Sequence, residues 1–298
     1  MNKKITIIGS GNVGATIAYT LVASSNVNEI VLIDINKDKS EAEALDIKQS
    51  SPYLSTAEIK SGDYEDAFNS NIVVITSGIG RKPGQSRLEL VQKNIDILKN
   101  ITDNIVKVCP NAIYIIVSNP VDILTYFFHK HTSIPKENII GTGTLLDTMR
   151  FKVRLSEVLN RPINDVKAVV LGEHGDSSVF AWSTDNIELS DEEKNEIQEF
   201  VKKSGGKIIA GKGATFYAIA SAVCKIVNCI ISGNKEVLPV SVMLEGEYGI
   251  SDVCLGLPCE VGANGLGKKT HLDLTESEIE ALTNSANVLK NIINSVEI

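Results

Sequence analysis

The sequence predicts an α/β fold, a doubly wound parallel sheet followed by a mixed α+β region, on three observations. In the first half, short runs rich in β-branched residues (KITIIG, EIVLIDI, NIVVITS, AIYIIVSN) alternate with stretches of helical pattern. A glycine-rich turn, GSGNVG, stands where the first strand meets the first helix. Beyond about Gly141 the alternation stops, and hairpin-like runs with glycine-rich turns take over. Strands that are apolar throughout and separated by helices belong to a parallel sheet covered on both faces.

In chain order, helices are expected after Asn12, over Asp38 to Gln49 and over Leu88 to Val108, each between two of those strands. In the second half a helix begins near Leu145, and VKAVVL reads as a strand. An acidic helix from about Ser190 to Ser204 and an apolar one from Ala214 to Ile231 follow. PVSVML, DVCLGLPCEV and KTHLDL read as strands, and the capping box TESE opens a closing helix at Thr275. The division falls at 1–141 and 142–298, and the cleft between the two parts is the default site.

The totals narrow the partners. At 298 residues and 43% hydrophobic content the chain can bury a real core, and disorder is excluded as the default. A formal net charge of -8 opposes generic binding to nucleic acid or to an anionic membrane, so an anionic ligand needs a local cluster of cations. No apolar run approaches the roughly 20 residues of a membrane span. The start MNKKITIIG has no signal-peptide pattern, which gives a cytoplasmic expectation. The five cysteines, with C-x4-C spacings at Cys224/Cys229 and Cys254/Cys259, match no metal motif. They read as small buried hydrophobes, and no metal is expected.

The turn ITIIGSGNVG places Gly9, Gly11 and Gly14 in the pattern G-x-G-x-x-G, with Asn12 and Val13 between the last two. The strand VLIDI ends in Asp34, twenty residues beyond Gly14. Glycines there let the backbone approach a pyrophosphate at a helix N-terminus, while the carboxylate accepts bonds from a ribose diol. An acid at Asp34 repels a 2′-phosphate, so NAD is expected rather than NADP. Without the strand and helix on either side, the motif would be no more than a common turn.

A proton carrier is expected at His174, in the turn VLGEHGDS just beyond an apolar strand. A lone histidine is usually structural, so its company decides the matter. In GTLLDTMRFK, Asp147 and Arg150 lie three apart and share a helix face. A buried carboxylate holds an imidazole in one tautomer and stabilises its cation, as a proton donor at a substrate oxygen requires. Arginines fork onto carboxylates and stabilise charge on a carbonyl oxygen. The segment GIGRKPGQSR, with three glycines, a proline and three cations, reads as a mobile basic loop carrying Arg81 and Arg87. Together these residues form an inventory for hydride chemistry on a keto acid.

At these residues the chain resembles the L-lactate and L-malate dehydrogenases. The likeness covers nearly the whole chain in order: GSGNVG, VLIDI, KPGQSRLELVQKN, VSNPVD, GTGTLLDTMRF, LGEHGDS and KGATFYAIA. The resemblance implies a Rossmann NAD-binding domain over 1–141, a catalytic domain over 142–298 and a homotetramer or dimer. It implies His174 as acid/base, Asp147 as its orienting partner, Arg150 on the substrate carboxylate and Arg87 on the carbonyl once the loop closes. Asn119 would contact the substrate oxygen or lie near the nicotinamide, through a cis link to Pro120. Thr215 would line the pocket. A descendant that kept the fold but lost the chemistry would have no reason to keep His174, Asp147, Arg150 and Arg87 together.

Substrate choice turns on the residue six before the loop arginine, here Arg81. The malate-type pattern has arginine there and the lactate-type pattern glutamine. An arginine sealed against pyruvate's methyl would lie desolvated without a partner, at a cost of about 3–5 kcal/mol. The expectation from Arg81 is therefore malate and oxaloacetate, with lactate and pyruvate the alternative. LGEHGDS, Thr215 and Ile219 look more like the lactate branch. An apolar residue at position 81 would have suggested longer 2-hydroxy acids. Lys152 and Lys167 stand where allosteric lactate enzymes carry a different basic pair for fructose 1,6-bisphosphate, so that effector is not expected.

Overall fold

The computed structural model describes residues 3–80, 86–184 and 187–297, and for Arg87 the backbone only. The first half runs β1 (Lys4–Ile8), α1 (Asn12–Ser24), β2 (Glu29–Ile33), α2 (Lys37–Leu54), β3 (Glu58–Ser61), β4 (Ile72–Ile75), α3 (Arg87–Val108), β5 (Ile113–Ile116), α4 (Val121–His131) and β6 (Ile139–Gly141). Its six strands are parallel in the order β3-β2-β1-β4-β5-β6. The chain winds outward from β1 in one direction, then crosses to β4 and winds the other way. At that reversal the loops after β1 and β4 diverge and open a crevice at the carboxyl ends of the strands. The expected strands formed because runs such as IVVI are buried on both faces.

Three elements of this half were not foreseen. Both β3 (EIKS) and β6 (IIG) are too short to show a period. Helix α4 (VDILTYFFHKH) is buried from Val121 through Phe128, so its outline lacks the polar stripe that marks an amphipathic helix.

The second half contains α5 (Leu145–Leu159), β7 (Val170–Leu171), β8 (Val179–Phe180), α6 (Asp191–Lys212), α7 (Tyr217–Ser232), β9 (Glu236–Glu245), β10 (Ser251–Gly262), β11 (Gly265–Lys269) and α8 (Glu276–Ile293). The antiparallel run β9-β10-β11 continues the parallel sheet, joined where Gly141 pairs with Ser241. A small second core of Phe151, Leu155, Val166, Phe180, Ile197 and Val201 clamps α5 to α6. There the ring of Phe151 meets Phe180 and Trp182 edge-on at 5.0 and 4.9 Å. That clamp fixes the face of α5 carrying Asp147 and Arg150.

Three expectations shift. VKAVVL is a strand only at Val170–Leu171, since Val166 and Ala168 are apolar because they pack in the small core rather than in a ladder. KTHLDL is not a strand beyond Lys269, where the chain turns off with His271 stacked on Tyr248 at 4.9 Å. The acidic helix does not end near Ser204 but runs through Gly205 and Gly206 to a left-handed cap at Gly213. Helix propagation absorbs the roughly 1 kcal/mol that each interior glycine costs. The five cysteines are buried and unpaired. No helix among the described residues is long and apolar enough to cross a membrane.

Candidate active site

One wall of the crevice is the turn between β1 and α1. At Gly14 a Cβ would sit 1.9 Å from the carbonyl oxygen of Gly9, so the first turn of α1 can pack on the strand end only without a side chain. Gly9 takes φ +104°, a left-handed conformation that glycine adopts without strain. At Gly11 a Cβ would meet no atom within 4 Å. The missing side chain there leaves a cradle over the N-terminus of α1, whose amides no side chain caps. Beside it, the Ser10 hydroxyl is buried with no partner. Asp34, past the end of β2, accepts the Ser10 amide at 2.6 Å and the Asn36 amide at 2.9 Å, which holds its carboxylate against the same turn. An open cradle, free helix amides and an adjacent carboxylate fit the pyrophosphate and adenosine ribose of NAD.

The facing wall is ionic. Thr144 precedes α5, so Asp147 lies in its first turn, where the helix field favours a carboxylate. Its Oδ2 lies 2.5 Å from Nδ1 of His174, and its Oδ1 accepts Nη1 of Arg150 at 3.3 Å. Burial alone would discharge both partners of the pair. The mutual attraction prevails: His174 is raised above its ordinary value despite burial, because of the Asp147 charge and bond, and Asp147 is lowered despite burial by His174 and Arg150. The Asp147 bond holds Nδ1 and leaves Nε2 as the imidazole nitrogen that can exchange a proton.

The loop bearing His174 is anchored from three directions. Ser285 on α8 accepts the Glu173 amide at 2.8 Å, and Ser177 donates its hydroxyl to the Glu173 carboxylate at 2.5 Å. The His174 amide donates to Oδ2 of Asp122, in the first turn of α4, at 2.8 Å. Oδ1 of Asp122 accepts the Ser241 hydroxyl of β9 at 2.6 Å. Burial pushes Asp122 up to about 6.

Both walls face one cleft of about 980 Å³. Asn12 and Val13 line it from the dinucleotide turn, Asn119 from the turn before α4, and Asp147, Arg150, His174, Thr215 and Ile219 from the second half. Gly9, Gly14 and Asp34 shape the dinucleotide turn behind it. The Asn119–Pro120 bond is cis. Arg81 lies outside the described residues, and so does the side chain of Arg87, whose backbone opens α3.

Sequence reasoning missed Asp122, Ser241 and Asn94. Asn94, 2% exposed, gives its Nδ2 to the Asn119 carbonyl at 2.8 Å and exchanges bonds with the backbone of Ile79, tying the stem of the basic loop to the Asn119 turn. The signal for Asp122 was an acid opening an otherwise apolar helix. Asn94 left none, since an asparagine in a polar helix looks solvated.

A dinucleotide cradle facing a histidine–carboxylate pair across one cleft defines an NAD-dependent oxidoreductase. Residues 3–141 match the model of the lactate/malate dehydrogenase NAD binding domain, and residues 144–298 match that family's alpha/beta C-terminal domain. The chain belongs to the lactate/malate dehydrogenase family. It is 44% identical over 306 residues to an L-lactate dehydrogenase of Clostridium botulinum strain Loch Maree, covering 98% of this chain and 96% of the relative. Against an L-lactate dehydrogenase of Acetivibrio thermocellus the figures are 44% over 310 residues, 99% and 98%. The minor L-lactate dehydrogenase of Enterococcus mundtii, crystallised with ligands, superposes with a TM-score of 0.96 at 35% identity, covering 100% of this chain and 99% of the other. A lactate dehydrogenase from a Medee basin deep-sea metagenome superposes at 0.94 with 35% identity, covering 98% of each chain.

Proposed function

We propose that the protein interconverts pyruvate and L-lactate with NAD, and that the His174–Asp147–Arg150 cluster carries the reaction. The observation behind this reading is the 2.5 Å contact of His174 Nδ1 with Asp147, which leaves Nε2 as the working nitrogen on the cleft. The relatives named as L-lactate dehydrogenases favour pyruvate over oxaloacetate, so the alternative substrate pair replaces the one expected from Arg81 alone.

When bound, the nicotinamide supplies the hydride for reduction and accepts it for oxidation. In reduction, protonated His174 gives its Nε2 proton to the substrate oxygen. In oxidation, neutral His174 takes that proton back. Asp147 keeps the Nδ1 proton in place and neutralises the imidazolium. Arg150 clamps the substrate carboxylate, with its guanidinium steadied by the other oxygen of Asp147. Asn119 and Thr215 border the substrate. Arg87 polarises the carbonyl when the loop comes over the cleft and excludes water.

The second reading, oxaloacetate and L-malate, rests on Arg81. For pyruvate to be the substrate, that guanidinium must stay in water when the cleft is filled. For oxaloacetate, it pairs with the second carboxylate. Initial rates of NADH oxidation separate the two. The lead reading expects the higher kcat/KM with pyruvate. A higher value with oxaloacetate, lowered about a hundredfold or more by Arg81→Gln, would replace it with the second. No turnover of either acid would remove both.

A further inference from the structure

A second cavity lies outside the cleft and shares none of its lining residues. It measures about 340 Å³, at the lower end of the roughly 300–1,000 Å³ that small-molecule sites occupy. It opens where α4 ends with His129 in its last turn and β9 ends at Glu245. The more buried part of its lining is Val242 and Met243 of β9, Cys259 of β10 and Leu266 of β11, with the His129 ring beside them. Burial pushes His129 down to about 4, so the ring is neutral at pH 7, and its Nε2 is buried without a hydrogen-bond partner. A leucine or phenylalanine would complete this lining without stranding a polar atom, so the fold alone gives no reason for an imidazole there. The Cys259 thiol is spent on the Gly267 carbonyl, 3.5 Å away, while Met243 supplies a flexible thioether that moulds to an apolar guest.

The rim is charged but balanced, with three lysines and three glutamates. Lys136 pairs with Glu245 at 2.7 Å, and Lys269 pairs with Glu247 at 2.7 Å. The other two, Lys268 on β11 and Glu137 in the Lys136–Asn138 turn, are exposed and form no ion pair among the described residues. A simple anion gains from Lys268 and is repelled by Glu137, and a simple cation meets the reverse. A molecule with one charge of each sign gains from both, and its uncharged part meets the apolar lining.

We propose that this cavity binds the zwitterion of a free amino acid with an aliphatic side chain: the carboxylate meets Lys268, the ammonium meets Glu137, and the side chain lies on Val242, Met243 and Leu266 beside His129. The site is separate from the proposed chemistry of the cleft, so its test needs neither cofactor nor turnover.

Ligand-observed NMR titrations on the full chain follow L-leucine, glycine, N-acetyl-L-leucine and L-leucinamide. L-Leucine is expected to bind saturably at a single site, with a Kd on the order of 1 mM or below. Glycine keeps both charges and lacks the side chain, N-acetyl-L-leucine lacks the ammonium, and L-leucinamide lacks the carboxylate. Each is expected to bind about fivefold more weakly or worse. Lys268→Glu, an exposed substitution, should weaken L-leucine by a similar factor. His129→Trp, which fills the cavity from its buried side, should abolish saturable binding. No saturation by L-leucine up to about 10 mM overturns the proposal. Equal binding of N-acetyl-L-leucine or L-leucinamide overturns the zwitterion, and unchanged L-leucine binding in His129→Trp overturns the site. Should that variant not fold, unchanged binding in Lys268→Glu does the same.

Discussion

The two walls of the cleft are built on opposite principles. The dinucleotide wall is one short stretch of chain, β1 through the start of α2, and works by leaving atoms out: no side chain at Gly11, none tolerated at Gly14, amides left uncapped at the helix start. The ionic wall gathers α4, α5, the 172–177 loop, β9 and α8, and works by holding charged groups together in one set of bonds. The first should therefore break when an atom is added and the second when a charge is removed. Damage to one should leave the other standing.

The largest effect expected from that contrast is at His174, the proposed proton carrier. His174→Asn removes a cleft group whose raised proton affinity suits it to give and take a proton at neutral pH. A positioned acid/base contributes roughly 10²–10⁴-fold, so kcat/KM should fall at least that far. NADH affinity, measured by fluorescence titration, should stay within about threefold of the unmodified value on the same reasoning. A parallel loss of NADH binding would mean that the walls are not independent.

The same contrast explains what could be read in advance. The dinucleotide wall is legible because its determinants are local: a glycine spacing, a flanking strand and an acid at a fixed distance. His174, Asp147 and Arg150 could be named because each sits in a distinctive short motif, and the fold brings them together on the cleft. Asp122 and Ser241 could not, since the bond joining them spans the chain from α4 to β9 and an acid opening an apolar helix does not by itself point to that partner. Short pieces such as β3 and β6 escaped because only pairing with a neighbour defines them. Substrate choice is hard to read for a related reason. One side chain, Arg81, was set against a likeness that runs the length of the chain, and the relatives favour the latter.

A middle-sized effect is expected at the dinucleotide wall. Asp34 already accepts the amides of Ser10 and Asn36, one on each oxygen, and a carboxylate keeps further lone pairs for the hydroxyls of a ribose diol. Hydrogen bonds to a charged group contribute about 1.5–3 kcal/mol, so Asp34→Ala should weaken NADH binding roughly 10- to 100-fold. At saturating NADH, kcat and the alkaline limb of its pH profile should be those of the unmodified protein. A displaced limb would show that the carboxylate acts on His174 across the cleft.

The smallest effect tests whether every glycine near the cleft is there for the same reason. Gly206 lines the cleft from the interior of α6, and there, as at Gly11 before α1, an added Cβ meets no protein atom within 4 Å. The likeness ends with the backbone. Gly11 caps a helix and leaves its amides to a ligand, whereas Gly206 lies inside a continuous helix where glycine only weakens the fold. Gly206→Ala should therefore raise stability by roughly 0.5–1 kcal/mol, an increase in Tm on the order of 2 °C. Cofactor binding should not change, because the methyl would stand on the wall away from the dinucleotide turn. Gly205 differs, since its Cβ would lie 3.4 Å from Nη2 of Arg150, so the neighbouring position can serve as a control that touches the guanidinium. If Gly206→Ala lowered Tm instead, the helix would not be continuous through that residue in solution, and α6 would close the cleft as two pieces rather than one.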